Sequence, residues 1–213
     1  MGLMDRLRRL ASTRDERGRV TSDRFRYAVR KRVRRIVGGV NGPVLDAGGG
    51  DGLLFDPRRS TGTKRITVLD LDTEALVRGR EAYNGSGLFV CGDITRMPFR
   101  DGVFDFAVCV GTFYNFPSRY LVASGIGELA RVTAPGGTVV TDFRNLDNPV
   151  VATAYRHARA YDPSLADLPL RAYRPDDAVG IAENAGLKVR EIVWMGPPFR
   201  RLAFGFIIVS VRV

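Results

Sequence analysis

Histidine occurs once in the 213 residues, at His157, cysteine twice, at Cys91 and Cys109, and lysine three times, at Lys31, Lys64 and Lys188. One histidine and two distant cysteines cannot build a C-x-x-C redox pair or a zinc knuckle, so no resident metal is expected. Each cysteine sits in an apolar run and reads as a buried small hydrophobe. No uninterrupted apolar stretch reaches the ~18 to 20 residues that cross a bilayer. The start has no signal-peptide core, and position 6 is Arg6 rather than the Ser or Thr of a myristoylation site. These absences lead us to expect a cytoplasmic protein without a transmembrane segment. Internal repeats and low-complexity tracts are also missing. With 45% hydrophobic and 26% charged residues, the composition excludes disordered, collagenous and disulfide-stapled chains.

What the chain has in excess is arginine. The formal charge is +10, and residues 1–40 carry +9 of it. The remainder is close to neutral, so basicity is a property of one segment and not of the main body. Thirty of the 33 basic residues are Arg, a bias that a GC-rich codon pool alone can produce. Over 21–37, Phe25, Ala28, Val29, Val33, Ile36 and Val37 recur at three- and four-residue spacing between arginines. That pattern predicts an amphipathic helix, capped by Ser22 or Asp23 and ended by Gly38-Gly39. Residues 1–40 therefore read as a basic helical segment packing on a domain of 41–213. Docking of its basic face on a membrane surface or on nucleic acid is the alternative.

Beyond this helix, short apolar runs alternate with helical stretches. Strands are expected at 43–47, 66–69, 88–91, 104–110 and 138–141, with helices at 53–56, 73–82 behind an Asp72 cap, and 118–132. Such alternation implies an α/β fold with a parallel sheet covered on both faces. The tail differs: runs at 187–195 and 204–213 are joined by a loop too short for anything but an antiparallel hairpin. The stretch 144–173 has weak periodicity and reads as a lid-like insertion.

The most informative segment is Val44-Leu45-Asp46-Ala47-Gly48-Gly49-Gly50-Asp51-Gly52, where a strand runs into a glycine turn and then a helix. Missing side chains let a ligand approach bare peptide N–H groups and a helix N-terminus. A G-x-G-x-x-G dinucleotide fingerprint needs glycine where Leu53 stands, and no Gly-Lys-Ser/Thr completes a phosphate-binding loop. Asp70, about twenty residues on, ends strand two, where a carboxylate can accept from ribose hydroxyls.

Asp46, Gly48, Gly50 and Gly52 match D-x-G-x-G-x-G, and the segment resembles the first motif of class I S-adenosylmethionine-dependent methyltransferases. The resemblance continues in order. It implies that Asp70 holds the ribose of S-adenosylmethionine and Leu71 packs on adenine. In Cys91-Gly92-Asp93-Ile94, it implies that Asp93 accepts from the adenine amino group and Ile94 covers the ring. Met97-Pro98-Phe99-Arg100-Asp101 leads into strand four as in relatives. Glu128 through Gly137 is similar to the type 11, ubiquinone/menaquinone-methyltransferase-like branch. The fold so implied is a Rossmann-like seven-stranded, mostly parallel sheet of order 3-2-1-4-5-7-6, with helices on both faces. The resemblance spans about 25–142 and 174–213. It makes S-adenosylmethionine the cofactor and S-adenosylhomocysteine the product.

Because that donor carries an activated methyl group, the protein chiefly aligns reactants and excludes water, and a base matters only if the acceptor must lose a proton. Acceptor-side candidates are Tyr114, with Asn115 beside it, and His157. Tyr27, on the helix that folds over the cofactor in relatives, is a further cofactor-side candidate. The D/N-P-P-Y/F tetrapeptide of amino-methyltransferases is absent. Phe113, Tyr114, Phe116, Tyr155, Tyr161 and Tyr173 favour a small, flat or partly apolar acceptor methylated at oxygen, carbon or nitrogen. Three rivals stay open: a nucleic-acid acceptor gripped by residues 1–40, a non-catalytic binding protein of the same fold, and a nicotinamide oxidoreductase. Nothing in the sequence sets the oligomeric state.

Overall fold

The computed structural model describes residues 13–14, 20–21, 24–38, 42–55, 65–161 and 170–213, and for 13–14, 20–21, 24 and 157–161 the backbone alone. Seven strands form one sheet: β1 (Pro43–Ala47), β2 (Arg65–Asp70), β3 (Leu88–Cys91), β4 (Phe104–Cys109), β5 (Thr133–Arg144), β6 (Leu187–Met195) and β7 (Gly205–Arg212). Their order is 3-2-1-4-5-7-6. Strand β1 is buried from Val44 to Ala47 because it lies at the centre, parallel to β2 on one side and β4 on the other. Only β7 runs against its neighbours, antiparallel to both β5 and β6. A separate two-residue ladder pairs Thr13–Arg14 with Val20–Thr21.

Five helices are described: α1 (Arg24–Val37), α2 (Thr73–Ala82), α3 (Arg119–Val132), α4 (Pro149–Tyr161) and α5 (Pro175–Asn184). Along α1, Val29, Val33 and Val37 are buried at four-residue spacing and pack with Val44, Phe106 and Ile207 on one face of the sheet. Arg34 Nη1 donates to the Leu53 carbonyl at 3.2 Å, fastening α1 to the turn after β1. On the other face, Val122, Ile126 and Leu129 of α3 and Ala178 and Ala182 of α5 pack with Leu45, Ala107 and Phe206. Both layers are apolar on the sheet side, as a doubly covered parallel sheet requires.

Several elements depart from expectation, each for a stated reason. Among the described residues, the turn after β1 leads into a single 3-10 turn, Leu53–Phe55, where the sequence suggested the start of a helix. Strand β5 is 12 residues long where four were expected, because its Thr138–Arg144 part is extended by a continuous ladder with Val211–Gly205 of β7. The insertion at 144–173 contains α4, begun by Asn148, whose Oδ1 accepts from Val150 N at 2.8 Å ahead of Pro149 in the first turn. Helix α5 was not anticipated, although Pro175 at its first position and Asp176 and Asp177 in its first turn are ordinary start signals. Asp72 caps α2 as expected, accepting from Ala75 N at 2.9 Å. Ser22 and Asp23 lie outside the described residues. Cys109 is buried, but Cys91 is exposed, because β3 is an edge strand paired only with β2. Among the described residues, no helix is long and apolar enough to cross a membrane.

Candidate active site

Strand order reverses between β1 and β4, and a crevice opens at the carboxyl ends of strands there. Gly48, immediately past β1, has φ +73°, and a Cβ on it would sit 2.4 Å from Thr112 Oγ1. A side chain there meets both backbone strain and a collision. Gly48 N donates to Leu69 O at 2.7 Å, which ties the turn to β2. Gly50, at φ +54°, faces open space, with Asp70 Oδ2 as the one atom near a Cβ built there, and its N–H donates to that oxygen at 2.7 Å. Bare peptide on one side and a carboxylate on the other therefore frame the same opening.

Two acids sit beside it. Asp46 is only 2% exposed, and its Oδ2 has no hydrogen-bond partner. Burial, then the charge of Asp70, pushes its carboxyl up to about 7, against the opposing pull of Arg30. Asp70 ends β2 with Oδ2 on Gly50 N and Oδ1 on Asp72 N, at 2.7 and 2.9 Å. Each carboxylate oxygen has two lone pairs, so these bonds leave acceptor capacity toward the crevice. The crevice holds about 510 Å³, and Asp46, Gly48, Gly50, Asp70, Arg26 and Arg30 are among its walls. That is within the roughly 300–1,000 Å³ of small-molecule sites.

Residues 45–141 match a family model described as a methyltransferase domain. That likeness runs from Leu45 in β1 to Thr141 in β5, the strands that frame the crevice. A demethylmenaquinone methyltransferase from Mycolicibacterium vanbaalenii is 42% identical over 100 residues, covering 45% of this chain and 40% of that protein. One from Beutenbergia cavernae is 27% identical over 184 residues, 77% of this chain and 70% of that protein. The match to the first of these spans less than half of the relative's length. Among solved structures, the magnesium protoporphyrin IX methyltransferase of Synechocystis PCC 6803, with bound SAH, superposes with TM-score 0.70 at 17% identity, covering 99% of this chain and 94% of that one. At that identity the likeness is one of fold.

The fold does not bring every expected residue to the crevice. Asp46, Gly48, Gly50 and Asp70 line it. Gly52 is buried behind it, where a Cβ would meet the Tyr83 ring at 3.1–3.2 Å. Leu71 is 68% exposed on its flank. Asp93 is exposed at the end of β3, with Oδ1 accepting from Thr95 N at 2.7 Å and Thr95 Oγ1 at 2.9 Å. Ile94 is buried in the cluster under α3, close to Gly125. Tyr27 is half-buried on α1, while the α1 residues that line the crevice are Arg26 and Arg30. Tyr114 is half-buried outside the lining, with the Arg26 and Arg144 guanidinium carbons 5.9 and 5.5 Å from its ring centre. His157 is on α4, and its side chain lies outside the described residues.

Sequence reasoning missed Arg26, Arg30, Thr112 and Arg144. The first two are four residues apart on the helix face read as solvated charge, and that spacing was the available signal. Thr112 follows β4, and neighbouring Gly111 N donates to Asp142 Oδ1 at 2.6 Å, locking the ends of β4 and β5 together.

A second cavity of about 550 Å³ is walled by Phe25 and Ala28 of α1, Val151, Ala154 and Tyr155 of α4, and Met195 and Phe204. Among the described residues, Arg144 is the one charged side chain in its lining and lies with its guanidinium carbon 3.7 Å from the Phe25 ring centre. Burial pushes the Tyr155 phenol up to about 12, although a hydrogen bond and the charge of Arg144 pull the other way.

Proposed function

We propose that this chain is an S-adenosylmethionine-dependent methyltransferase acting on a small, partly apolar aromatic metabolite of quinol type. The observation that carries the donor half is the pair of acids, Asp46 and Asp70, beside a glycine turn in a crevice of about 510 Å³. Asp46 Oδ2 is buried and unpartnered, and its carboxyl is held near 7 partly by the charge of Asp70. A site with surplus negative charge fits a ligand carrying a sulfonium and an ammonium. The open side of Gly50 accommodates the ligand's approach to the backbone.

When bound, S-adenosylmethionine would supply an activated methyl group: its C–S bond breaks, the electron pair stays on sulfur, and an electron pair of the acceptor's nucleophilic atom forms the new bond. The residues of this chain bind and orient. Asp70 is assigned to the ribose hydroxyls, Leu71 to an adenine face and Asp93 to the adenine amino group, while Ile94, buried under α3, supports the segment that carries Asp93. Gly48, Gly50 and Gly52 shape the turn beneath the methionyl end, which Asp46 faces, and Tyr27 covers the cofactor from α1. On the acceptor side, the Tyr114 ring has the guanidinium carbons of Arg26 and Arg144, one from each cavity's wall, at 5.9 and 5.5 Å, and His157 is two residues beyond Tyr155 on α4. A neutral hydroxyl acceptor gives up one proton, and Tyr114 and His157 are the residues to test as its recipient.

The quinol-type acceptor rests on the activity of the relatives named above together with the apolar second cavity. The test is calorimetric titration with S-adenosylmethionine, followed by assay of S-adenosylhomocysteine with reduced demethylmenaquinone. Saturable donor binding and acceptor-dependent product formation are expected. No heat with the donor would remove the donor half, and binding without product would remove this acceptor.

A further inference from the structure

The loop joining β6 to β7 turns large apolar side chains outward. In Gly196-Pro197-Pro198-Phe199-Arg200-Arg201-Leu202-Ala203-Phe204, Phe199 is 64% exposed, Leu202 52% and Phe204 46%. Val150, in the first turn of α4, is 66% exposed, and Leu146 just before that helix 39%. Hydrogen bonds gather these side chains. Buried Asn148 donates through Nδ2 to the carbonyls of Leu202 and Ala203, at 2.9 and 3.2 Å, while its Oδ1 accepts from Val150 N and Val151 N. Buried Asn145 donates through Nδ2 to the carbonyls of Arg200 and Ala203, and its Oδ1 accepts from Asp147 N. The loop and the start of α4 are thus fastened into one surface. Apolar residues exposed singly are ordinary, whereas a gathered set marks a contact.

The backbone of this loop is largely satisfied from within. Leu202 N and Ala203 N donate to Phe199 O at 2.9 and 2.8 Å, Phe204 N donates to Met195 O at 2.9 Å, and Phe204 O accepts from Asn145 N at 3.2 Å. Pro197 and Pro198 have no N–H to satisfy. The two asparagine amides cover the carbonyls of Arg200, Leu202 and Ala203. A loop facing only water gains little from such pairing. A loop that enters hydrocarbon depends on it, because an unsatisfied peptide group there is costly.

Charge selects the kind of surface. Arg200 is used within the protein, pairing with Asp147 at 2.9 Å and with Asp176 at 2.6 Å. Arg201 beside it is exposed and, among the described residues, has no ion pair. The chain as a whole carries +10. Apolar side chains around an exposed arginine suit an anionic membrane, whose acyl boundary receives the former and whose phosphates receive the latter. A second copy of the chain fits less well, since a two-fold axis through the patch would turn two Arg201 side chains toward each other. Topology adds an orientation. Strand β7 is antiparallel to both β5 and β6, so β6 is parallel to β5, and the loop after it stands at the same edge of the sheet as the donor crevice.

We propose that residues 196–204, with Leu146 and Val150, form a docking surface for an anionic lipid membrane, in which Phe199 and Leu202 enter the acyl boundary and Arg201 pairs with headgroup phosphate. Docking there holds the crevice edge of the sheet against the membrane. The proposal goes beyond the methyltransferase reading and does not depend on it.

The test is sedimentation of the full chain with vesicles of phosphatidylglycerol and phosphatidylcholine in equal parts, and with vesicles of phosphatidylcholine alone. Saturable binding to both is expected, tighter on the anionic vesicles. Phe199→Ser combined with Leu202→Ser should weaken both about tenfold or more. Arg201→Glu should weaken the anionic vesicles about tenfold and the neutral ones less than about twofold. Val77→Ser, at a similarly exposed apolar position on α2 beside the opposite edge of the sheet, should leave both within about twofold. Residues 1–40 offer a separate electrostatic route to an anionic surface, so insertion of the loop is read by itself. In Phe199→Trp, emission should shift to the blue and be quenched by lipids brominated in the acyl chain, beyond the response of Trp194 in the wild-type chain.

No wild-type binding to either vesicle, full binding by the double variant, or Phe199→Trp emission indifferent to vesicles would each overturn the proposal. So would a dimer of the wild-type chain that the double variant loses while vesicles are ignored, which assigns the patch to a second copy. Should the double variant fail to fold, Phe199→Ser alone, expected to weaken both vesicles about threefold or more, serves in its place. Donor titration of the same samples keeps the two readings apart. A chain that docks without binding S-adenosylmethionine defeats only the methyltransferase reading, and one that binds it while ignoring vesicles defeats only the docking surface.

Discussion

The two cavities are nearly equal in size, about 510 and 550 Å³, and opposite in construction. The donor crevice is built largely from strand ends, where peptide groups and short acids stand in register with a parallel sheet. The second cavity is assembled by α1, the end of β5, α4 and the loop before β7, segments more than a hundred residues apart in part. Polar recognition here is a local product of the fold's topology, whereas apolar recognition is a product of packing between distant elements. A change at one should leave the other intact, and that separation can be broken or sharpened by substitution.

The largest effect is expected at Gly48. Gly48→Val combines a positive φ with a collision against Thr112, and should cost about 3 kcal/mol or more in stability and remove detectable donor binding. Chemical denaturation and calorimetry check this, and loss of binding of the neutral fluorophore N-phenyl-1-naphthylamine at the second cavity under folding conditions would break the claimed separation. Asp70→Ala should weaken donor binding by about 1 to 3 kcal/mol through lost charge-assisted hydrogen bonds. An unchanged dissociation constant would show that the ribose is held elsewhere.

Arg131→Ala is a control of the opposite kind. Its guanidinium bridges Glu128 at 2.6 Å, Asp101 at 2.6 Å and the Phe99 carbonyl at 2.8 Å, away from both cavities. With the pair partly exposed, removal should cost about 1 to 2 kcal/mol of stability and leave donor affinity unchanged. A shift in donor affinity would show that the crevice is coupled to the α3 scaffold.

The pH response of Asp46 sharpens the donor side. In the folded chain it holds its proton to about pH 7, while an unfolded aspartate releases it near 3.8. The stability this contributes is fully present below the unfolded value and is lost as pH rises through about 7. Asp46→Asn should abolish that decline, measured as thermal unfolding across pH 4 to 8. A cationic donor favours the ionised acid, so donor binding should tighten from pH 6 to 8 with proton release, read as a dependence of calorimetric heat on buffer ionisation. The smallest effect is expected for Leu71→Ala: less than about 0.5 kcal/mol in stability, since the side chain is 68% exposed, with a two- to fivefold loss of donor affinity.

Strands β1 and β3 appear where their apolar runs lie, and α2 begins at its Asp72 cap, because burial on both faces and capping leave local marks. The length of β5 left no such mark, since its extension depends on β7, more than sixty residues downstream. Helix α4 was hidden for a related reason: its apolar residues face the second cavity and solvent, so they do not trace one clean stripe. Among site residues, Asp46, Gly48, Gly50 and Asp70 were legible because strand-end position follows from strand assignment. Ile94 illustrates the limit, for its spacing after β3 was legible but its burial under α3 was not.

The amino-acid order alone determined the alternation of strands and helices, the glycine turn, the acids at the strand tips and the concentration of arginine before residue 40. Each is a property of neighbours along the chain. Only the tertiary structure decided that Asp46 is a buried acid protonated to about neutrality, that α1 lends Arg26 to one cavity and Phe25 to the other, and that Arg144 is set into an apolar wall. Desolvation and charge–charge distance are through-space quantities, and they come into being only when segments remote in sequence exclude water from the same place.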